Sequence, residues 1–172
     1  MKKLTTGLMA LLLLQNVYAS TATREQHLEK ELEAVSNLIN LSQVEIDEDL
    51  GSDLYVEAHG TNTKTNQDCR LSVYYGVAAL GPAISYVLEG NAVHSMDRVD
   101  ETYTHTMKSV TQHSITANQV SINTHDILST GHFSKKHIIN KSNISFVKHA
   151  GNVEVTVTRD GSVMSSCTFK AK

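Results

Sequence analysis

The segment VEVTVTRDGSVMSSCTF, residues 153–169, decides the fold class of this chain. Its three valines alternate with Glu and Thr, as they do in a strand that buries one face and exposes the other. Asp160-Gly161 follows, and an Asp-Gly pair between alternating segments is the strongest short-range signal for a β-hairpin, because both residues tolerate a positive φ. The segment therefore predicts two antiparallel strands joined by a two-residue turn.

The same period of two recurs along the chain from Leu50 onward. Ala150-Gly151-Asn152 and Glu89-Gly90-Asn91 predict two more tight turns between strand-like runs. No helical period separates these runs, so we expect about eight to ten strands in an antiparallel meander that closes as a barrel or sandwich, a mainly β fold. The runs outside residues 153–169 are 54–59, 69–75, 84–88, 92–96, 102–110, 114–122, 137–139 and 144–149.

A helical period precedes the strands. Thr23-Arg24-Glu25-Gln26 has the form of a capping box, and the apolar residues Leu28, Leu32, Val35 and Ile39 follow at spacings of four, three and four. This pattern predicts one amphipathic N-terminal helix of about five turns, with its apolar face against the sheet. The alternative is that the same four residues form a face that docks a partner chain.

The first 19 residues have the composition of a cleaved signal peptide. Lys2 and Lys3 form a positive start, residues 7–14 are an apolar run too short to span a membrane, and Ala19 precedes Ser20. We therefore expect an exported protein, periplasmic or secreted, without a lipid anchor because no Cys follows the apolar run. The alternative is a helix retained in the mature chain.

Three segments follow from these patterns. Residues 1–19 are the predicted signal peptide, residues 20–49 the N-terminal helix with an acidic linker, and residues 50–172 the antiparallel β domain. The chain shows no fixed repeat, no Pro-rich linker and no low-complexity tract, which favours one β domain.

Composition and charge exclude several classes of protein. An apolar fraction of 40% is too high for a disordered chain, and the net charge of −3 gives no basic footprint for nucleic acid. Without Lys2 and Lys3 the net charge becomes −5, divided between −8 over residues 20–60 and +5 over residues 131–172. This separation of charge either steers a charged partner toward the protein, or its electric field cancels because the two segments pack together.

The two cysteines, Cys69 and Cys167, are predicted to form a disulfide in an oxidising compartment. Cys167 has the same strand parity as Val163, Ser165 and Phe169, so we expect these residues on one face. A disulfide that closes a loop of about 98 residues stabilises a fold by roughly 4 to 5 kcal/mol in the chain-entropy model. The alternative, a redox-active pair, lacks the Cys-x-x-Cys spacing.

The nine histidines contain no pair at the two-residue or four-residue spacing that metal ligands prefer on a strand or helix. The closest cluster is His125, Asp126, His132 and His137. We predict no metal and no cofactor, and we keep a small exported hydrolytic or metal-dependent enzyme that uses these four residues as the alternative.

Other catalytic or ion-binding motifs are missing from the sequence. There is no Gly-x-Ser-x-Gly elbow, no Ser-x-x-Lys pair, no phosphate loop and no dinucleotide fingerprint. The acidic stretch 45–53 fails the EF-hand template, because Leu50 and Val56 occupy positions that need Gly and Glu. We therefore predict no catalytic residue.

The expected function is non-enzymatic binding of an apolar small molecule or a protein partner in the bacterial envelope or secretome, by a monomer or weak homo-oligomer. The predicted lining of the ligand site is aliphatic, with tyrosine in the minority, because the chain has no Trp. The candidate residues are Leu71, Val73, Tyr75, Tyr86 and Leu88.

Overall fold

The computed structural model describes residues 23–44, 54–78, 81–101, 105–130 and 135–172. Helix α1 spans residues 23–38. The predicted signal peptide and most of the acidic linker lie outside the described residues. Among the described residues, no helix is long and apolar enough to cross a membrane. The strands are β1 (Ser42–Gln43), β2 (Leu54–Asn62), β3 (Asp68–Ala78), β4 (Gly81–Leu88), β5 (Asn91–Ser95), β6 (Arg98–Glu101), β7 (His105–Ile115), β8 (Gln119–Thr130), β9 (Lys135–His149), β10 (Asn152–Arg159) and β11 (Ser162–Lys170).

The strands form one antiparallel sheet in the order β5-β4-β3-β2-β11-β10-β9-β8-β7-β6, and β1 pairs with β2 beside this path. The two ends of the order, β5 and β6, are separated along the chain by only Met96 and Asp97. The ends of the sheet therefore meet, and the meander forms a nearly closed barrel preceded by one helix. This confirms the mainly β meander predicted from the alternating pattern.

Side chains join the sheet where its two ends meet. Thr111 Oγ1 donates to the backbone oxygen of Met96 at 2.8 Å and accepts from its nitrogen at 3.0 Å, while Asp97 Oδ1 accepts from Thr111 N at 3.0 Å. Thr124 Oγ1, on β8, donates to the backbone oxygen of His94 at 2.8 Å. These bonds hold β5 over the inner face of β8.

All three predicted tight turns are present. Glu89-Gly90, Ala150-Gly151 and Asp160-Gly161 each link two strands, and both residues of each pair have a positive φ, between 39° and 91°. Two consecutive positive φ values are typical of the type I′ turn, whose twist matches that of the flanking strands. The turns thus fix the register of three hairpins.

The inner face of the barrel is apolar over most of its length. Along β10 the valines at 153, 155 and 157 are buried and Glu154 is exposed, as the alternation predicts. Inward-facing residues of the other strands complete one continuous core. Its largest fully buried apolar side chains on the strands are Leu71, Ile84, Tyr86, Leu88, Ile122, Ile144, Phe146 and Phe169.

A β-bulge in β11 turns Val163 toward the face of the sheet opposite to the expected one. Val157 pairs with Ser165 and Thr158 pairs with Val163, which leaves Met164 as an extra residue. An extra residue reverses the alternation beyond it, so Val163 points outward and is 48% exposed, whereas Cys167 is buried. The expectation that Val163 shares the face of Cys167 is therefore wrong.

The predicted disulfide between Cys69 and Cys167 is confirmed. Both residues are buried, and their Cα atoms lie 6.3 Å apart across β2, which separates β3 from β11. Gly60, on β2, lets β11 pass close to this strand, because a Cβ there would lie 2.4 Å from the backbone oxygen of Thr168. Such a disulfide is compatible with an oxidising, exported location.

Helix α1 packs one face against the barrel core. Leu28, Val35 and Leu38 are buried on this face, and Leu32 is partly buried beside them. Ile39, just beyond the helix, is buried and forms an isolated bridge with Ala171. The predicted partner-binding face is therefore in contact with this chain's own core, and its docking of a second protein stays a prediction.

Candidate ligand-binding site

The apolar residues predicted to line a ligand site belong to the packed core. Leu71, Val73, Tyr86 and Leu88 are buried, and Tyr75 packs against the same core. None of the five lines either of the two clefts described below. Their role in binding stays a prediction.

A fully buried carboxylate, that of Glu31 on α1, lies between the helix and the barrel. Glu31 Oε1 accepts from Tyr86 Oη at 2.8 Å, and Glu31 Oε2 accepts from Ser95 Oγ at 2.7 Å. His113 Nε2 lies 2.7 Å from the same Oε2 and 3.2 Å from Ser95 Oγ. We call these four residues the Glu31 cluster. Strands β4, β5 and β7 each supply one donor, so the helix is tied to both sides of the barrel seam.

The Glu31 cluster shifts the titration of two of its members. The hydrogen bond to Glu31 is the largest influence on His113 and raises its pKa, although partial burial acts in the opposite direction. Burial, reinforced by the neighbouring carboxylate of Glu31, raises the pKa of Tyr86 well above its usual range. The cluster therefore favours a protonated His113 and a neutral Tyr86.

The Glu31 cluster contains Ser, His and Glu but lacks the order of a catalytic triad. A triad needs the serine on one imidazole nitrogen and the carboxylate on the other. Here Ser95 and Glu31 both contact Nε2 of His113, and the serine hydroxyl donates to the carboxylate. The arrangement is therefore a hydrogen-bonded cluster whose geometry differs from that of a Ser-His-acid triad.

A cleft of about 340 Å³ lies above the cluster, between the first turns of α1 and the barrel seam. Its wall includes Arg24, His27 and Met96, and its floor includes Ser95 and His113. The guanidinium of Arg24 donates across this opening to the backbone oxygen of Asp97. We call it the helix cleft; the contact of Arg24 with Asp97 partly bridges it.

A second cleft, of about 380 Å³, lies between β5 and the inner face of β7–β10. We call it the strand cleft. It occupies the part of the barrel interior where the apolar core ends, since the next inward residues after Ile122 on β8 are Thr124 and Asp126. It is lined by Ala92, Val93, His94, Met96, Met107, Ser109, Thr124, Asp126, Asn140, Ser142 and Arg159.

The strand register brings the polar residues of the strand cleft together. Directly paired residues on adjacent strands share a face of the sheet. Ser109, Asp126 and Asn140 form one such row across β7, β8 and β9. The neighbouring row, two residues further along the strands, consists of Thr124, Ser142 and Arg159.

Neutral donors hold the carboxylate of Asp126 in the strand cleft. Ser109 Oγ donates to Oδ1 at 2.7 Å, and Asn140 Nδ2 donates to Oδ2 at 3.2 Å. The register shift between Asp126 and Ile127 leaves Ile139 as an extra residue on β9, beside this contact. Bulges of this kind redirect side chains near functional sites.

The two charges of the strand cleft do not neutralise each other. Asp126 and Arg159 form no salt bridge, so their charged atoms lie more than 4.0 Å apart. Within the described ranges, no other side chain forms an ion pair with either of them. Both charges therefore remain for a bound molecule.

The histidine cluster of the sequence is dispersed or outside the described residues. His125 is adjacent to Asp126 on β8, so the two side chains project from opposite faces. His137 is on β9, opposite Leu128, and His132 lies outside the described residues. Across the described ranges, the only group of three or more possible metal ligands is Cys69, Glu89 and Cys167, whose cysteines form the disulfide. The metal-dependent enzyme stays an untested alternative.

The position of Glu31 in the sequence predicts that its carboxylate is buried, although a count of apolar residues alone does not include it. Glu31 comes three residues after Leu28 and four before Val35, which places it in the middle of the apolar stripe. An acidic residue at that position predicts a buried carboxylate with partners. Arg159 gave no comparable signal, because it ends an alternating strand where exposed charge is common.

Comparison with protein-family models, with curated proteins and with solved structures gives no match to this chain, so its functional assignment rests on the geometry of its own residues.

Proposed function

We propose that this protein is a non-enzymatic binding protein that holds a small polar molecule in the strand cleft. One observation carries the proposal: a carboxylate and a guanidinium that form no ion pair among the described residues share a cleft of about 380 Å³ between β5 and the inner face of β7–β10. Ligand sites in proteins are typically clefts of about 300–1,000 Å³ with a few convergent polar groups, and the mouth of a β-barrel is a common position.

The lining favours a polar ligand over the apolar ligand that the composition suggested. The strands that carry the apolar candidates have already packed them into the core, whereas the strand cleft contains Asp126, Asn140 and Arg159. An apolar molecule there would leave these groups without their hydration and without new partners, which costs free energy.

The hydroxyl groups of Ser109 and Thr124 already have acceptors inside the protein. Ser109 Oγ donates its hydrogen to Asp126, and Thr124 Oγ1 donates to the backbone oxygen of His94. Both hydroxyl groups thus position the polar groups that line the cleft.

A small panel of compounds tests the binding function. We expect at least one among L-leucine, putrescine, succinate and glucose to raise the melting temperature and to shift amide resonances of β5, β8 and β9. The conservative variant Arg159→Gln should lower that response without changing the melting temperature of the free protein. If no compound produces a saturable change at millimolar concentration, the proposed function is wrong.

We further propose that the protein is exported and that residues 1–19 are removed. The positive start, the short apolar run and the disulfide support this. Intact mass and N-terminal sequencing of the protein from an exporting bacterial host should give Ser20 as the first residue. Recovery of the uncleaved chain from the cytoplasm would contradict this part of the proposal.

A further inference from the structure

From the strand cleft we infer a ligand class: the site accepts a small zwitterion of the α-amino acid type with an apolar side chain. Its ammonium group would bind Asp126, its carboxylate would bind Arg159, and its side chain would lie against Met96 and Met107. This inference rests on the proposed binding function and specifies what is bound.

The first argument is charge. The side-chain partners of Asp126, Ser109 and Asn140, are neutral, and Arg159 has no carboxylate partner among the described residues. A cationic ligand would satisfy Asp126 and leave Arg159 unpaired, and an anionic ligand would do the reverse. A molecule that carries both charges pairs with both groups and brings no net charge into the barrel.

The second argument is the separation of the two groups. Arg159 pairs with Ser142 on β9, and Asp126 pairs with Asn140, two residues earlier on the same strand. Two strand spacings and one two-residue step place the Cα atoms of Asp126 and Arg159 roughly 12 Å apart. Their side chains extend over the same face of the sheet, so the adjacent ammonium and carboxylate groups of an α-amino acid would lie between them.

The third argument is the rest of the lining. The thioethers of Met96 and Met107 border the cleft together with Ala92 and Val93, and unbranched methionine side chains adapt to apolar groups of different shape. The cleft contains no Phe, Tyr or Trp ring, and sugars usually stack on such rings. The lining therefore favours an apolar side chain over a sugar.

Titration calorimetry with L-leucine tests the inference on the full mature chain. N-acetyl-L-leucine lacks the ammonium charge and L-leucinamide lacks the carboxylate, so each should bind at least about tenfold more weakly than L-leucine. Asp126→Asn and Arg159→Gln should each weaken L-leucine binding by a similar factor. The matched controls Asp68→Asn and Arg70→Gln remove the same charges from exposed positions on β3 and should bind L-leucine like the parent protein.

The failure of this inference can be distinguished from the failure of the proposed function. If putrescine, succinate or glucose binds and Arg159→Gln weakens that binding while L-leucine gives no heat, the cleft binds a ligand but the zwitterion assignment is wrong. If L-leucine, N-acetyl-L-leucine and L-leucinamide bind equally, the assignment is wrong as well. Arg159 lies on an exposed part of β10, so Arg159→Gln gives a folded variant even if Asp126→Asn does not.

Discussion

Two carboxylates of the described residues lie in contrasting environments, that of Glu31 in the Glu31 cluster and that of Asp126 in the strand cleft. Glu31 is fully buried, and Tyr86, Ser95 and His113 surround it. Asp126 is half-buried, accepts from the neutral side chains of Ser109 and Asn140, and borders an open cleft. The difference indicates that a carboxylate which the fold saturates holds the structure together, whereas one that the fold leaves accessible is available to a ligand.

The largest expected effect is on Glu31. Glu31→Ala removes the acceptor of three donors and leaves the hydroxyl groups of Tyr86 and Ser95 buried without it, so we expect a loss of about 3–5 kcal/mol in the free energy of unfolding. Urea denaturation followed by circular dichroism measures it. A loss below about 1 kcal/mol would remove the contrast between the two carboxylates.

Tyr86→Phe tests one bond of the Glu31 cluster while keeping the ring. The variant removes the hydroxyl that donates to Glu31 Oε1 at 2.8 Å, so we expect a loss of about 1–3 kcal/mol by the same denaturation assay. The matched change in the strand cleft, Ser109→Ala, also removes one donor to a carboxylate. Because water can replace that donor at Asp126, the loss there should be smaller, and equal losses would contradict the comparison.

The pH dependence of stability tests the Glu31 cluster through His113. The pKa of His113 is raised in the folded protein above its ordinary value of 6.5. The stabilisation by the charged imidazole is therefore fully present below about pH 6.5 and is lost as the pH rises through the folded-state value.

Denaturation curves measured between about pH 6 and 8.5 should show this loss. His113→Gln should flatten the curve. Titration of the His113 ring by NMR provides a direct check, and a midpoint below 6.5 would contradict the assigned shift.

The smallest expected effect on stability is at Asp126. Asp126→Asn keeps the shape of the side chain and can still accept from Ser109, so the free energy of unfolding should change by less than about 1 kcal/mol. The same variant should lose L-leucine binding, as stated above. A large destabilisation without loss of binding would reverse the roles assigned to the two carboxylates.

The strand pattern was predictable because local chemistry specifies it. Asp160-Gly161 adopts the two positive φ values that the turn requires, and the valines of β10 face the core as their alternation indicates. The disulfide was predictable from composition and parity. By contrast, the side of the sheet toward which Val163 points was not predictable, because the bulge at Met164 depends on how β11 pairs with β10.

The amino-acid sequence by itself determined the antiparallel meander, the tight hairpins, the N-terminal helix and the pairing of the cysteines. The meander, the hairpins and the helix depend on periodicity and turn chemistry, which short segments of the sequence show. The disulfide pairing follows because the chain has two cysteines and each can pair with the other. The tertiary structure alone decided which polar residues meet. Glu31 joins His113 from 82 positions away, and Asp126 shares a cleft with Arg159 from 33 positions away. Only strand register and closure of the barrel set these distances, because no local pattern specifies contacts between residues so far apart in the chain.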